Sequence, residues 1–181
     1  MNSEFYSKEL MESAKTFAHM AKAMTQKHAK QAFLRSSFHH SFCFLESHIN
    51  FITSSFQSTK QLDVSTLGFL QEKEVVLSKG DFIVSKKDRY YSLIDRIEFL
   101  IHRFGGDAEK ESFQKLKSDL ARLIRVRNDL THPREANELA DKDAEEAMLV
   151  ILDTTDIIYR AVFKKGLPYT KLGIDKKVDF S

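Results

Sequence analysis

The residues whose types and spacing suit chemistry lie together at positions 127–132, which read Arg-Asn-Asp-Leu-Thr-His. On a helix, Asn128 and His132 are i and i+4 neighbours, so they share one flank close to Arg127. A guanidinium is a planar fork of donors that matches the oxygens of a carboxylate or a phosphate. Three further arginines complete the most basic cluster of the chain: Arg122, Arg125 and Arg134. The segment is therefore predicted to attract an anion, such as a phosphate group.

Arg127 also breaks the apolar pattern of the helix predicted for residues 107–131. It falls on the seam formed by the apolar residues of this helix: Phe113, Leu116, Leu120, Leu123 and Leu130. Burying an unpaired charge costs on the order of several kcal/mol, so Arg127 must find a partner or face a cleft. A structural alternative stays open. In it, Arg127 extends past the core into solvent, and Asn128 and His132 cap an ordinary helix end before Pro133.

The second long helix, predicted for residues 27–57, carries polar groups beside its apolar seam. Arg35, His39 and Glu46 project onto one flank of this seam, with Cys43 and Asn50 close by. Glu46 is predicted to be a charge partner of Arg127 or Arg35. A metal site built from His39, Cys43 and Glu46 is an alternative, because these residues recur at i, i+4 and i+7. Two helices with Glu-x-x-His pairs would be expected of a carboxylate-bridged bundle site, and the sequence has none, so no metal is predicted.

The segment 127–132 resembles the signature of the HEPN superfamily, in which an Arg, a polar residue that is often Asn, Asp or His, and three more residues precede a His. In that superfamily the motif lies late in the penultimate long helix of an all-α bundle, which is also its place here. The second helix is similar to the family's early helix, where an Arg-Ser start precedes a Glu and an Ile-Asn pair. The matching residues are Arg35-Ser36, Glu46 and Ile49-Asn50.

The resemblance implies RNA cleavage without a metal or another cofactor. His132 would take the proton of a ribose 2′-hydroxyl, which then attacks the adjacent phosphorus. Arg127 would stabilise charge on the phosphoryl oxygens, and Asn128 would orient the phosphate or His132. Other arginines would bind the RNA backbone: Arg122, Arg125, Arg134 and Arg35. Products with 2′,3′-cyclic phosphate ends are expected, and DNA should resist because it lacks the 2′-hydroxyl.

Family members are typically homodimers that join two copies of the motif in one cleft, and many serve as toxins, in phage defence or in RNA processing. An antitoxin or another regulatory protein is thus a possible partner of this chain. In the subgroup regulated by a nucleotidyltransferase antitoxin, a Tyr lies two residues after the His, where this chain has Arg134. Regulation through that Tyr is therefore doubtful. The alternative function is a non-catalytic HEPN-like module that binds RNA, a nucleotide or a protein partner.

Hydrophobic periodicity predicts an all-α, up-and-down bundle of about five helices over residues 1–165. The predicted helices span residues 3–25, 27–57, 88–104, 107–131 and 141–164, and residues 166–181 are predicted to be an irregular tail. Period-3.6 patterning is lost in an insertion at about residues 60–88. There, a short helix is predicted for residues 65–72. Two β-rich runs around Lys79-Gly80-Asp81 then suggest a small hairpin.

Amino-acid composition limits the classes of protein to which this chain could belong. The 181 residues include 28 Lys and Arg against 26 Asp and Glu, so any affinity for nucleic acid must come from local clustering of charge. The single cysteine excludes a disulfide framework and a multi-cysteine zinc site. The first ten residues lack the basic and apolar regions of a secretory signal, and no apolar run is long enough to span a bilayer. A cytoplasmic protein with no membrane partner is predicted.

Overall fold

A computed structural model describes residues 3–59, 62–132 and 138–168 of the chain. These residues form six helices and one two-stranded sheet, so the prediction of a mostly helical chain is confirmed. The elements are α1 (Ser3–Ala23), α2 (Lys27–Thr59), α3 (Val64–Leu70), β1 (Lys73–Ser78), β2 (Asp81–Asp88), α4 (Leu93–Phe104), α5 (Asp107–Thr131) and α6 (Asp141–Phe163). Five of the helices are long, and they lie close to the predicted positions.

Helix α2 is apolar on two sides and packs chiefly against α1 and α6. Its predicted seam is buried along its whole length: Phe38, Phe42, Leu45, Ile49, Ile52 and Phe56. On a second stripe Phe44 is fully buried, Phe33 stacks on Phe17 of α1 at 6.2 Å between ring centroids, and Phe51 meets Phe163 of α6 at 6.5 Å. Both faces of α2 are thus covered by helices of the same chain.

The insertion folds as predicted into a short helix and a hairpin. Asp63 caps α3 by accepting a hydrogen bond from the Thr66 N–H at 2.9 Å. The strands β1 and β2 pair antiparallel and join at Lys79-Gly80, where both residues have positive φ, the geometry of a tight hairpin turn. Gly68 of α3 allows this hairpin to pack closely, since a Cβ atom there would lie 2.4 Å from Cγ2 of Val75.

Two details of the predicted helices were wrong. The apolar face predicted for α1 included Tyr6 and Met20 together with Leu10, Ala14 and Ala21. The last three are buried, whereas Tyr6 and Met20 are 47% and 43% exposed. Helix α4 starts at Leu93 rather than at residue 88, because residues up to Asp88 pair in the hairpin and Ser92 caps the helix. Tyr90 therefore lies outside α4 and is 82% exposed.

The chain continues to pack against the bundle just beyond α6. Lys164 ends the helix in a left-handed conformation, and the buried Leu167 donates its N–H to Oδ1 of Asp156 at 2.7 Å. Residues 166–168 are irregular, as predicted, but they are attached to α6. The remainder of the predicted tail, residues 169–181, lies outside the described residues.

A buried histidine on α2 makes the stability of the bundle depend on pH. His48 is hydrogen-bonded to the Tyr159 hydroxyl at 2.8 Å, and burial lowers the pKa of His48 to about 4. The unfolded chain, with an ordinary histidine pKa near 6.5, binds a proton more readily. The contribution of neutral His48 to the free energy of unfolding is therefore complete above pH 6.5 and is lost as the pH falls towards 4.

We expect the free energy of unfolding to fall by about 2 kcal/mol between pH 7.5 and pH 5, because His48 binds a proton more readily in the unfolded chain. The measurement is urea unfolding at both pH values for the wild type and for His48→Gln, which has no group that titrates at this position. The variant should lose less stability on acidification than the wild type. Equal losses in both proteins would contradict the assignment.

Candidate functional site

The guanidinium of Arg127 lies between α5 and α2 and is held by two residues of α2. Its Nη2 atom is 2.8 Å from Oε1 of Glu46, and its Cζ atom lies 5.6 Å from the centroid of the Phe42 ring. The pairing of Glu46 with Arg127 predicted from the two helices is thus present. The side chains of Arg127 and Glu46 are 25% and 32% exposed, so the pair lies at the edge of the core rather than within it.

One cavity beside Arg127 is formed by the start of α2 and the end of α5. It has a volume of about 350 Å³ and places Arg127 with Arg35 and His39. Its other lining residues are Ser36, Phe38, His40, Leu130 and Thr131. Arg35, assigned to phosphate binding from the sequence, therefore shares a cavity with Arg127.

A second cavity lies on the other side of Arg127, towards α4 and the hairpin. It has a volume of about 300 Å³ and is lined by Glu46, Asn50, Glu72, Tyr90, Tyr91, Leu93, Arg96 and Arg127. Arg96 donates from Nη1 to Oε2 of Glu72 at 2.6 Å and from Nη2 to Oδ1 of Asn50 at 3.2 Å. Burial lowers the pKa of Arg96, while Glu72 and Glu46 oppose this change, so Glu46 acts on both arginines.

Asn128 and His132 are exposed at the end of α5. His132 caps the helix, with its backbone N–H donating to the Asn128 carbonyl at 2.8 Å. Neither of the two cavities beside Arg127 is lined by Asn128 or His132. Arg127 thus faces α2, whereas Asn128 and His132 face away from the bundle.

The other arginines of the predicted cluster differ in their surroundings. Arg122 is paired with Glu146 of α6, so part of its charge is already neutralised within the chain. Arg125 is exposed on α5. Arg134 lies outside the described residues, as does Pro133. The structure therefore brings Arg35 and Arg127 together and holds Arg122 against α6.

Cys43 lies close to the Arg127–Glu46 pair. Burial raises the pKa of its thiol, and Glu46 raises it further while Arg127 lowers it. Such a thiol remains protonated at neutral pH and is a weak nucleophile. Within residues 3–59, 62–132 and 138–168, no group of three His, Cys, Asp or Glu side chains is arranged to hold a metal ion.

Sequence reasoning missed four residues of the second cavity: Glu72, Tyr90, Tyr91 and Arg96. A signal for Arg96 was present, because Leu93, Arg96 and Leu100 are spaced by three and four residues and thus share one stripe of α4. Arg96 therefore interrupts an apolar stripe as Arg127 does, and it is only 3% exposed. Glu72 carried no such signal because it precedes a hairpin whose packing decides its place.

No protein-family model, curated protein or solved structure matches this chain. In the part of the chain that the structure describes, no helix has the length and apolar character needed to cross a membrane.

Proposed function

We propose that this chain is a HEPN-like, metal-independent endoribonuclease. The observation that supports this most directly is the placement of Arg127. Its guanidinium is oriented by Glu46 at the junction of two cavities, and Asn128 and His132 follow within about one turn at the end of the same helix. An oriented cation together with an accessible imidazole is what transfer of a phosphoryl group to a neighbouring hydroxyl requires, and here the imidazole would come from a second copy of the chain.

In the proposed reaction the 2′-oxygen of a ribose attacks the adjacent phosphorus. The imidazole of one His132 takes the 2′-proton as the new P–O bond forms. Arg127 stabilises the charge that develops on the phosphoryl oxygens, and Asn128 orients the phosphate. The bond to the 5′-oxygen then breaks, and this oxygen receives a proton from a second, protonated imidazole. The products are a 2′,3′-cyclic phosphate and a 5′-hydroxyl.

A homodimer supplies that second imidazole. In one subunit Arg127 faces α2 while His132 is exposed and faces away. A dimer that joins the ends of two α5 helices would bring the His132 of each copy towards the Arg127 of the other. In this arrangement we assign contacts with the RNA backbone to Arg35, which lines a cavity with Arg127, and to Arg125, which is exposed. A toxin, phage-defence or RNA-processing role in the cytoplasm, restrained by a regulatory protein, fits such an enzyme.

One observation favours the non-catalytic alternative, a HEPN-like module that binds RNA, a nucleotide or a protein. Arg127 is already paired with Glu46 at 2.8 Å, and Arg122 is paired with Glu146. A guanidinium whose charge is balanced within the chain attracts phosphate less strongly than an unpaired one. Binding without turnover would follow if Arg127 remained attached to Glu46 when RNA is present.

The test is incubation of the purified wild-type chain with mixed RNA in excess EDTA, followed by analysis of the product ends. We expect fragments with 2′,3′-cyclic phosphate and 5′-hydroxyl ends, and no cleavage of DNA of the same sequence. Intact RNA, or products with 5′-phosphate ends, would contradict the proposed reaction. RNA that is bound but not cut would favour the module.

A further inference from the structure

The cavity between α2, α4 and the hairpin is polar but electrically balanced. Its two arginines, Arg96 and Arg127, are each paired with a carboxylate, at 2.6 Å with Glu72 and at 2.8 Å with Glu46. An anionic ligand would gain little binding energy in such a site, because the two carboxylates already balance the charge of the two arginines. An uncharged group with many hydrogen-bonding atoms would match it better.

Hydrogen-bonding capacity remains on each polar residue of this cavity. Each carboxylate is bound to its arginine through one oxygen, Oε2 of Glu72 and Oε1 of Glu46, so the other oxygen is left as an acceptor. Asn50 accepts through Oδ1, which leaves its amide N–H groups as donors. The Nε atom of Arg96 is buried and has no hydrogen-bond partner among the described residues.

The remaining wall of the cavity contains two tyrosines from the segment between β2 and α4. Tyr90 is 82% exposed, and Tyr91 is fixed by the Phe69 ring, whose centroid lies 4.8 Å away. Aromatic faces next to convergent polar groups are the usual means by which proteins hold an unstacked nucleobase. The volume of about 300 Å³ lies at the lower end of the range of ligand pockets.

We propose that this cavity binds a guanine base. Guanine carries two adjacent donors, N1–H and the N2 amino group, and we assign both to the Glu72 carboxylate. One donor binds the free Oε1, and the other binds the remaining lone pair of Oε2, which also accepts from Arg96. The O6 acceptor of guanine then lies towards the amide N–H groups of Asn50. Adenine and cytosine place a ring acceptor beside their amino donor, and uracil has one donor between two carbonyls, so each would set a lone pair against a carboxylate.

The site deepens the proposed function and rests on it, because Arg127 lines this cavity as well as the one that contains Arg35. A phosphate bound on the Arg35 side of Arg127, in the cavity whose lining contains no carboxylate, would leave the guanine of the same nucleotide within the present cavity. Cleavage would then occur on the 3′ side of guanosine, and the products would end in guanosine 2′,3′-cyclic phosphate.

The test is isothermal titration of the full chain with the 3′-monophosphates of guanosine, adenosine, cytidine and uridine. Guanosine 3′-monophosphate is expected to bind at least about tenfold more tightly than the other three. Glu72→Gln should remove this preference. Glu98→Gln is the matched control, since it breaks an ion pair with Lys117 at 2.5 Å outside the cavity and should leave binding unchanged.

A second variant separates loss of the site from loss of the fold. Tyr90→Ala alters an exposed side chain, so the protein should fold normally yet bind all four nucleotides about tenfold more weakly. Equal affinity for the four nucleotides, or no measurable binding, would overturn the inference. RNA cleavage without base preference would do the same while leaving the proposed reaction intact. Selective binding of the guanosine nucleotide by a chain that leaves RNA uncut would support the base site and reject catalysis.

Discussion

Replacement of His132 with alanine is expected to lower kcat/KM for RNA cleavage by a factor of about 10² to 10⁴. The imidazole is the proposed proton acceptor, and its exposed position at the end of α5 means that the fold does not depend on it. Arg127→Ala should cause a loss of about 10² to 10³ through reduced stabilisation of the phosphoryl oxygens. The measurement is the initial rate of cleavage of a fluorescent RNA in EDTA.

Two observations would separate catalysis from unfolding or contamination. His102→Ala removes another exposed imidazole, on α4, and should cleave at the wild-type rate. Thermal unfolding of His132→Ala should match that of the wild type within a few degrees. A His132→Ala protein that cleaves as fast as the wild type would exclude this residue from the reaction.

Replacement of Phe42 with alanine is expected to reduce the free energy of unfolding by about 3 to 5 kcal/mol. The Phe42 ring is fully buried on the main seam of α2, so truncation leaves a cavity in the core. The ring also lies 5.6 Å from the Arg127 guanidinium, so its loss removes one of the two contacts that orient Arg127. Urea unfolding at pH 7.5 measures the change.

Phe82→Ala provides the comparison for Phe42, because this ring is 64% exposed on the hairpin. Its truncation should change the free energy of unfolding by no more than about 0.5 kcal/mol. A loss of less than about 1 kcal/mol for Phe42→Ala would show that the surrounding helices collapse into the space, contrary to the close packing of α2.

The long helices could be predicted because their apolar residues repeat with a helical period and their ends carry clear signals. Helix α5 begins after Gly105-Gly106 and ends at Thr131, as predicted, and the seam of α2 is buried throughout. The hairpin was also predictable, since its turn residues lie between two β-rich runs. On α1 the small residues of the predicted face, such as Ala14, are buried, whereas Met20 is exposed, because hydrophobic spacing does not show which edge of the stripe the bundle covers.

The candidate site was predictable only where a charge interrupts an apolar seam. This reasoning located Arg127 and its partner Glu46, because both lie on long helices whose faces can be calculated. The second cavity depends instead on how the hairpin packs, which a local pattern does not reveal. The orientation of the His132 side chain could not be predicted from the sequence either, since this residue leaves helical geometry at the end of α5.

Glu72 has a backbone φ of 54°, a left-handed conformation that glycine adopts at little cost and a glutamate does not. The residue joins α3 to β1, where a glycine would suit the turn better. Its carboxylate nevertheless holds Arg96, which is almost fully buried and has Glu72 as its directly bound counter-charge. The strained backbone at Glu72 thus lowers local stability, while its carboxylate supplies a polar group to the wall of a cavity. Such a combination is typical of positions that serve binding rather than folding.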